Sequence, residues 1–288
     1  MILVDYSPVC IAAMFSAEKM EGEWDLPLMR HLILNTLRTF NMKFREEYGT
    51  MVIACDSNSW RKDYFPNYKA NRKKSRDNSD IDWDKMFEMF GTVRDELAKN
   101  MPYPVVIAEG AEADDIIAAL THKCQEFGNM EKVMIVSSDK DFLQLQTFSG
   151  VRQFSPNKNG FYDEPNPESY WFEHICKGDS SDGVPNILSG DDFLIEGIRQ
   201  KPVTKKRLET WRSDDPEKSM SEEEYRNFIR NRKLISLLDE DIIPQDVRER
   251  IFSSLEGQSG KNNSKILNYL IMNRCKMLIE CASEFYGK

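Results

Sequence analysis

Apolar and polar positions follow two different periods along this chain, and its first half switches repeatedly between them. Short continuous runs rich in β-branched residues occur at 2–4, 51–54, 105–108 and 133–136. Each is too short for a helix and stops at a polar or acidic residue, as a strand buried on both faces does. Between the runs lie helix-length segments with apolar residues three and four apart, at 26–49, 82–100 and 112–128. The first ends at Gly49 and the last at Gly128, the residue type that suits a helix C-terminus. Strands alternating with helices predict an α/β fold, a mainly parallel central sheet with helices on both faces.

After the turn-rich stretch "SPNKNGFYDEPNPES" (155–169) the spacing becomes helical. A Ser-x-x-Glu capping box opens 221–238, a proline lies in the first turn of 244–255, and a long apolar-rich helix is expected over 264–285. The predicted organisation is an α/β part over 1–190 and a helical part over 191–288, with no internal repeat.

Composition narrows the class. A chain of 288 residues, 40% apolar and 30% charged, suits a globular enzyme and excludes a fibre or a disordered tail. No apolar run approaches the length of a spanning helix, and "MILVDYSP" has neither the basic start nor the cleavage pattern of a signal peptide. A cytoplasmic protein is expected. Cys10, Cys55, Cys124, Cys176, Cys275 and Cys281 form no C-x-x-C pair and read as reduced core residues. The histidines, His31, His122 and His174, are scattered, which argues against a histidine metal cage.

The acids change the picture. Asp5 and Asp56 directly follow the first two strands, Glu112, Asp114 and Asp115 open the helix after the third, and Asp139 and Asp141 follow the fourth. In a parallel sheet the carboxyl ends of the strands share one edge, where ligands bind. Asp179 and Asp182 sit in a loop that can cover that edge. A single aspartate before a helix is usually an N-cap, but four strand ends all closing in acids are hard to reach by capping alone. Carboxylates packed together repel unless cations join them, and an oxygen-only donor set favours hard ions, Mg²⁺ or Mn²⁺. Two such ions would activate water and stabilise the leaving oxygen in phosphodiester cleavage. Removing these nine residues from the 48 acids leaves 39, the number of Lys and Arg, so the acidic excess of the chain matches its candidate site.

The net charge of −9 speaks against a nucleic-acid partner, but its distribution speaks for one. Segment 61–76 carries seven basic residues and one acid, and 199–212 six and one. In the first, Trp60, Tyr64, Phe65 and Tyr68 interleave with Arg61, Lys62, Lys69, Arg72, Lys73 and Lys74. Rings stacking on bases beside cations meeting phosphates is how single strands are held, whereas a bare charge run is usually a solvated face.

"LVDYS" (3–7), "CDSNSWRKDYFPNYKANRKK" (55–74), "EGAEADDIIAAL" (109–120), "IVSSDKDFLQL" (135–145) and "KGDSSDGVPN" (177–186) occur in an order and at a spacing that resemble the flap endonuclease/5′-nuclease family, most closely its bacteriophage branch. The resemblance implies the PIN-like 5′-nuclease fold and a metal-dependent 5′→3′ exonuclease and flap endonuclease with ribonuclease H activity. It would remove RNA primers during phage DNA replication, in the cytoplasm of the infected bacterial host. One metal site is implied around Asp5, Asp56, Glu112 and Asp139, and a looser one around Asp141, Asp179 and Asp182. In the E-A-D-D element either Asp114 or Asp115 is the ligand, and Asp115, one turn on from Glu112, is expected to share its face. Tyr68, Lys69 and Arg72 match the base of a helical arch, expected over about 72–100, that meets the scissile phosphate and the threaded 5′ strand. Lys69 and Arg72 take the catalytic contacts, with Arg61, Lys62, Tyr64, Tyr68, Lys73 and Lys74 binding nucleic acid.

The implied partners are branched, flapped or nicked DNA and RNA–DNA duplex, with single-strand binding protein and a sliding clamp; a monomer with no membrane contact is expected. The pattern departs after Asp182, where Gly183 replaces the family's Asn and no Gly-x-Gly turn follows. No potassium-holding hairpin is assigned there, and Arg199, Lys201, Lys205, Lys206 and Arg207 are the candidates for phosphate contact. The competing readings are a small PIN-type ribonuclease, which needs no arch; a non-catalytic branched-DNA-binding protein, which needs no intact acid set; and a phosphatase, which would place its D-x-D after the first strand.

Overall fold

The computed structural model describes residues 1–19, 24–258 and 260–287, with the side chains of 19 and 73–75 left aside. Its first strand, β1 (Ile2–Asp5), pairs in parallel with β2 (Met51–Ala54) on one side and with β4 (Val133–Val136) on the other. β3 (Val105–Val106) continues the sheet beyond β2. Beyond β4 come β5 (Val151–Ser155), parallel, and β6 (Gly160–Tyr162), antiparallel. The order is β3-β2-β1-β4-β5-β6, so the chain reverses its direction of travel across the sheet between β1 and β4. The expected mainly parallel sheet is present. The last two strands lie partly in the stretch that reads as turns, because Asn159, at φ 48°, closes the tight connection between them.

The helices are α1 (Tyr6–Lys19), α2 (Leu26–Tyr48), α3 (Arg61–Tyr64), α4 (Ala70–Asp77), α5 (Trp83–Asn100), α6 (Ala113–Gln125), α7 (Pro167–Lys177), α8 (Lys205–Ser213), α9 (Pro216–Ser219), α10 (Glu222–Ile235), α11 (Gln245–Glu256), α12 (Ile266–Met272) and α13 (Lys276–Ile279). Local chemistry fixes their ends. Asp25 accepts the Leu28 amide to start α2, Asn166 the Ser169 amide to start α7, and Ser221 with Glu224 forms the expected capping box of α10, each satisfying amides that a first turn leaves without partners.

Three apolar clusters organise these elements. The first gathers α1, α2, α5 and the C-terminal residues Ile266, Tyr269, Leu270, Leu278 and Phe285 on one face of the sheet. The second packs α6, the 3₁₀ segment Lys140–Thr147 and α11 on the other face. The third joins α7, α8 and α10 to Phe65 and Tyr68.

This packing corrects two expectations. The division at residue 190 does not separate two cores, because α11 to α13 return to cover both faces of the N-terminal sheet. Nor do all of residues 72–100 form an arch: α5 buries Met86, Met89, Phe90, Val93 and Leu97 and is a core helix, whereas Arg72, Arg76 and Asp77 of α4 are exposed. The predicted helix at 264–285 is broken into α12, α13 and a 3₁₀ turn, with Arg274 at φ 55°. The left-handed backbone at Arg274 turns the chain between α12 and α13, and Ile266, Leu278 and Phe285 all lie in the first cluster.

Candidate active site

The strand register assembles the site. Asp5 is the last residue of β1 and lies opposite Ala54, while Val4 lies opposite Val136. Asp56 and the "SSD" turn therefore emerge on either side of Asp5, at the point where the sheet order reverses, the usual ligand position in this architecture. Asp5 is buried and accepts a hydrogen bond from Ser137 Oγ at 3.1 Å. Asp56 accepts from Ser7 Oγ at 2.6 Å and from the Ala113 amide at 2.9 Å, which ties it to the start of α6. Asp139 accepts the Asp141 amide at 2.9 Å. It is a 3₁₀ N-cap and a member of the acidic cluster at once, so capping and clustering do not exclude each other here.

Glu112, the N-cap of α6, is the most heavily bonded of these carboxylates. It accepts from Ser59 Oγ at 2.8 Å, the Tyr68 hydroxyl at 2.9 Å, Arg61 at 3.2 Å and Lys69 Nζ at 2.5 Å. Burial opposes its ionisation, but the charges of Lys69 and Arg61 and the bonds from Lys69 and Ser59 outweigh that and bring its pKa down to about 2.

The E-A-D-D element resolves against the expectation for Asp115. As the third residue of the capping box, Asp115 must turn back to accept the Glu112 amide, at 3.0 Å, and it is fully buried in an ion pair with Arg61 at 2.8 Å. It does not share Glu112's face. Asp114 does: the charges acting on it are those of Lys69, Asp5, Asp139 and Glu112. Burial and the three acids drive Asp114 well above the ordinary aspartate range, against the pull of Lys69. Asp5 rises to about 8, by burial first and then by Asp56 and Asp139. Asp139 is raised by desolvation and Asp141, with Asp182 and Asp179 acting the same way.

The loop after α7 supplies the remaining acids. Asp179 Oδ1 accepts from the Ser181 amide and hydroxyl at 2.7 and 2.6 Å. Asp182 pairs with Arg72 at 2.6 Å and Lys69 at 3.4 Å, and accepts from Tyr68 at 3.2 Å. Its carbonyl accepts the Lys69 amide at 2.7 Å. Gly183, at φ 75°, lies so close to this segment that a Cβ would stand 2.7 Å from the Asn67 carbonyl oxygen. Gly183 thus permits a direct contact between this loop and the turn that precedes α4.

Two residues that sequence reasoning passed over belong to this region. His174 Nε2 lies 2.9 Å from Asp141 Oδ1, and its ring stacks on Tyr170, with centroids 5.7 Å apart. The signal was their spacing of four on α7, facing the turn that carries Asp141.

The nucleic-acid candidates divide. Arg61 and Tyr68 are buried, one holding Asp115 and Glu112, the other bonding to Glu112 and Asp182. Neither is a strand-facing group, and Trp60 and Phe65 are core residues as well. The aromatic interleaving that suggested stacking is a core pattern at the base of α4. Lys62 and Tyr64 are exposed, the latter under Lys233. Arg199, Lys205, Lys206 and Arg207 are exposed, with Arg207 paired to Glu224 at 3.0 Å. The side chains of Lys73 and Lys74 lie outside the described residues. Arg72 is half exposed, its guanidinium held over the acids by Asp182.

This donor set fits hard divalent cations. Asp5, Asp114 and Asp139 are held above their usual pKa first by burial and then by neighbouring carboxylates, a repulsion that a cation relieves.

Comparison with known proteins identifies a family and a fold. A family model described as the 5′-3′ exonuclease N-terminal resolvase-like domain matches residues 1–169, and one described as the T4 RNase H C-terminal region matches 166–285. The chain is 31% identical to the ribonuclease H of Enterobacteria phage T4 over 98% of its own length and 95% of that protein's. Among solved structures, it resembles a T5 5′-exonuclease with bound zinc (TM-score 0.61, 18% identity, covering 89% of this chain and 98% of that one). It also resembles a T5 D15 flap endonuclease complexed with DNA and metal ions (TM-score 0.58, 16% identity, 89% and 98%). At these identities the two structures speak for the fold.

Proposed function

The chain belongs to the 5′-3′ exonuclease family, and on that premise we propose that it is a Mg²⁺-dependent, structure-specific 5′→3′ exonuclease and flap endonuclease acting on DNA and RNA–DNA duplexes. Its role in this reading is removal of RNA primers and adjoining DNA from lagging-strand fragments in phage replication, as a monomer in the host cytoplasm, with single-strand binding protein and a sliding clamp as partners. The observation that carries it is the convergence of Asp5, Asp56, Glu112, Asp114 and Asp139 at one sheet edge beneath Lys69 and Arg72.

Those five acids hold the tighter ion, and Asp141, Asp179 and Asp182 the looser one. Mg²⁺, with Mn²⁺ as a substitute, supplies water activation and charge neutralisation when bound. Asp115 has no place in this set. The chain's own cations do the rest. Lys69, held between Glu112 and Asp182, and Arg72, half exposed at the mouth, meet the scissile phosphate and stabilise the charge that develops on it. Tyr68 and Arg61 keep Glu112 in place. Exposed Lys62, Tyr64, Lys205 and Lys206 contact the nucleic acid away from the scissile bond.

The test uses 5′-labelled flap, nicked RNA–DNA and single-strand substrates, with and without Mg²⁺, and sizes the products of wild type and Asp139→Asn. Asn caps a helix as well as Asp, so the variant should fold and bind DNA while its cleavage falls at least about 10³-fold, the upper range for losing one transition-state donor. Normal turnover by D139N would sink this function.

A further inference from the structure

Resting on that reading of the second metal site, we infer that His174 is a nitrogen ligand of that site, which is therefore a mixed oxygen and nitrogen centre. Three observations carry this. First, the ligand atoms of Asp141, His174 and Asp179 all lie within 4.8 Å of one another. Donors sharing one divalent ion at roughly 2.1–2.3 Å stand about 3 Å apart when adjacent and about 4.5 Å when opposite. The three atoms thus lie near the span of one coordination sphere, within the reach of a rotamer adjustment.

Second, Nε2 of His174 is shielded from solvent and stands 2.9 Å from Asp141 Oδ1, so the ring is already drawn toward the acids of the second site. The ring thus faces the carboxylates of Asp141 and Asp179, the position from which a neutral imidazole joins a cation shared with them. Third, the ring is not free to turn elsewhere. It stacks on Tyr170 at an interplanar angle of 25°, and α7 packs along the 3₁₀ segment that carries Asp141. The other two histidines are not part of this cluster, and His122 bonds to the Leu237 carbonyl oxygen.

The chemical consequence is selectivity. Carboxylate and water donors suit Mg²⁺ and Mn²⁺, whereas an imidazole shifts preference toward Co²⁺ and Zn²⁺. The second site would bind those borderline ions more tightly relative to Mg²⁺ than the all-carboxylate first site does.

The experiment loads the full chain with Mn²⁺ alone and records electron spin-echo modulation, with and without [¹⁵N]histidine labelling. Wild type should show ¹⁴N modulation from one coordinated imidazole, replaced by the ¹⁵N pattern on labelling. His174→Gln should still bind Mn²⁺ at the first site but lose that modulation. A parallel Zn²⁺ titration should show its weaker site loosened about tenfold or more by H174Q. Mn²⁺ bound by wild type without imidazole modulation overturns the inference and leaves the metal-dependent function standing, and because this readout needs no variant, misfolding of H174Q cannot mask it. No Mn²⁺ bound at millimolar concentration overturns both. Modulation retained in folded H174Q overturns the assignment to this residue.

Discussion

Lys69 Nζ stands 2.5 Å from Glu112 Oε1 and 3.4 Å from the Asp182 carboxylate, so one ammonium bridges the acids of α6 and those of the loop after α7. In this arrangement Lys69 is the cation that the cluster keeps for itself. Metal binding or substrate entry must compete with it or redirect it.

This gives the first prediction. Lys69→Gln should lower the single-turnover cleavage rate by about 10²-fold or more, the scale seen when one transition-state donor is lost. It should also leave Mg²⁺ affinity equal to or tighter than that of wild type, because a competing positive charge is gone. Stopped-flow cleavage and Mn²⁺ titration on the same preparation check both halves. Weaker metal binding by the variant would contradict the bridging role.

Neighbouring aspartates should behave in opposite ways. Asp114→Asn removes a carboxylate held high by burial and by its acidic neighbours, so the metal-free protein should melt at the same temperature or higher, with weaker Mg²⁺ binding. Asp115→Ala leaves Arg61 buried with Glu112 as its remaining ion-pair partner among the described residues. Breaking such a pair costs about 3–5 kcal/mol, and the loss should appear in chemical denaturation whether or not metal is present. Calorimetry on the two variants in chelator and in Mg²⁺ separates ligand from scaffold.

The raised acids set a pH dependence. An acid whose folded pKa lies above its unfolded value contributes stability at low pH and loses it as pH rises through the folded value. For Asp5 that window runs from about pH 4, its unfolded range, to about 8, and raised Asp114 and Asp139 act in the same direction. Glu112 has the opposite sign, but its window lies between about 2 and the ordinary glutamate value of 4.5, so it is flat above pH 5. In chelator, the melting temperature should therefore receive a falling contribution from this site between pH 5 and 8. Mg²⁺ should remove that contribution, with protons released on binding. Difference melts, with and without Mg²⁺ at each pH, isolate it; a Mg²⁺ effect that does not grow with pH would count against these shifts.

The parallel sheet and the acidic edge were legible in the chain because strands end where carboxylates begin, and that coincidence survives without tertiary knowledge. Other parts were not. Asp114 and Asp115 have the same chemistry in sequence, and only the capping box, which turns Asp115 back onto the Glu112 amide, separates them. Trp60, Phe65 and Tyr68 read as a stacking surface because aromatics among cations look alike whether they face solvent or a core; Tyr68 spends its hydroxyl on Glu112 and Asp182 instead. His174 was passed over because its partners lie 33 residues before it and five after, a proximity that α7 alone creates. The boundary at 190 marked a true change in composition, but composition does not record that Ile266 and Phe285 return to the first core.

That return supports a stability prediction. Glu96 on α5 pairs with Arg30 of α2 at 2.6 Å and accepts the Tyr269 hydroxyl of α12 at 2.7 Å, joining the C-terminal helices to the body. Glu96→Ala leaves a largely buried Arg30 without its partner and should destabilise the whole chain by about 3 kcal/mol, in one cooperative transition. Urea unfolding followed by tryptophan fluorescence and circular dichroism checks this. Two separated transitions, with only the C-terminal helices released, would restore the idea of independent domains.

Gly183 offers the sharpest link between a departure from the family pattern and activity. At φ 75° an Asn is tolerated better than most residues, so the backbone alone does not demand glycine here. Space does, since a Cβ would stand 2.7 Å from the Asn67 carbonyl oxygen. Gly183→Asn must therefore push the loop off the arch base, lengthening the 2.7 Å bond from the Lys69 amide to the Asp182 carbonyl and shifting Asp182 away from Lys69 and Arg72. Cleavage should fall about tenfold or more, the sensitivity expected when a catalytic group is misplaced by a fraction of an ångström to an ångström. DNA binding through the exposed lysines should be little changed, so the loss should appear in the single-turnover rate and not in the dissociation constant. Wild-type rates in G183N would mean that the close approach of loop and arch base has no part in setting the positions of Lys69 and Arg72.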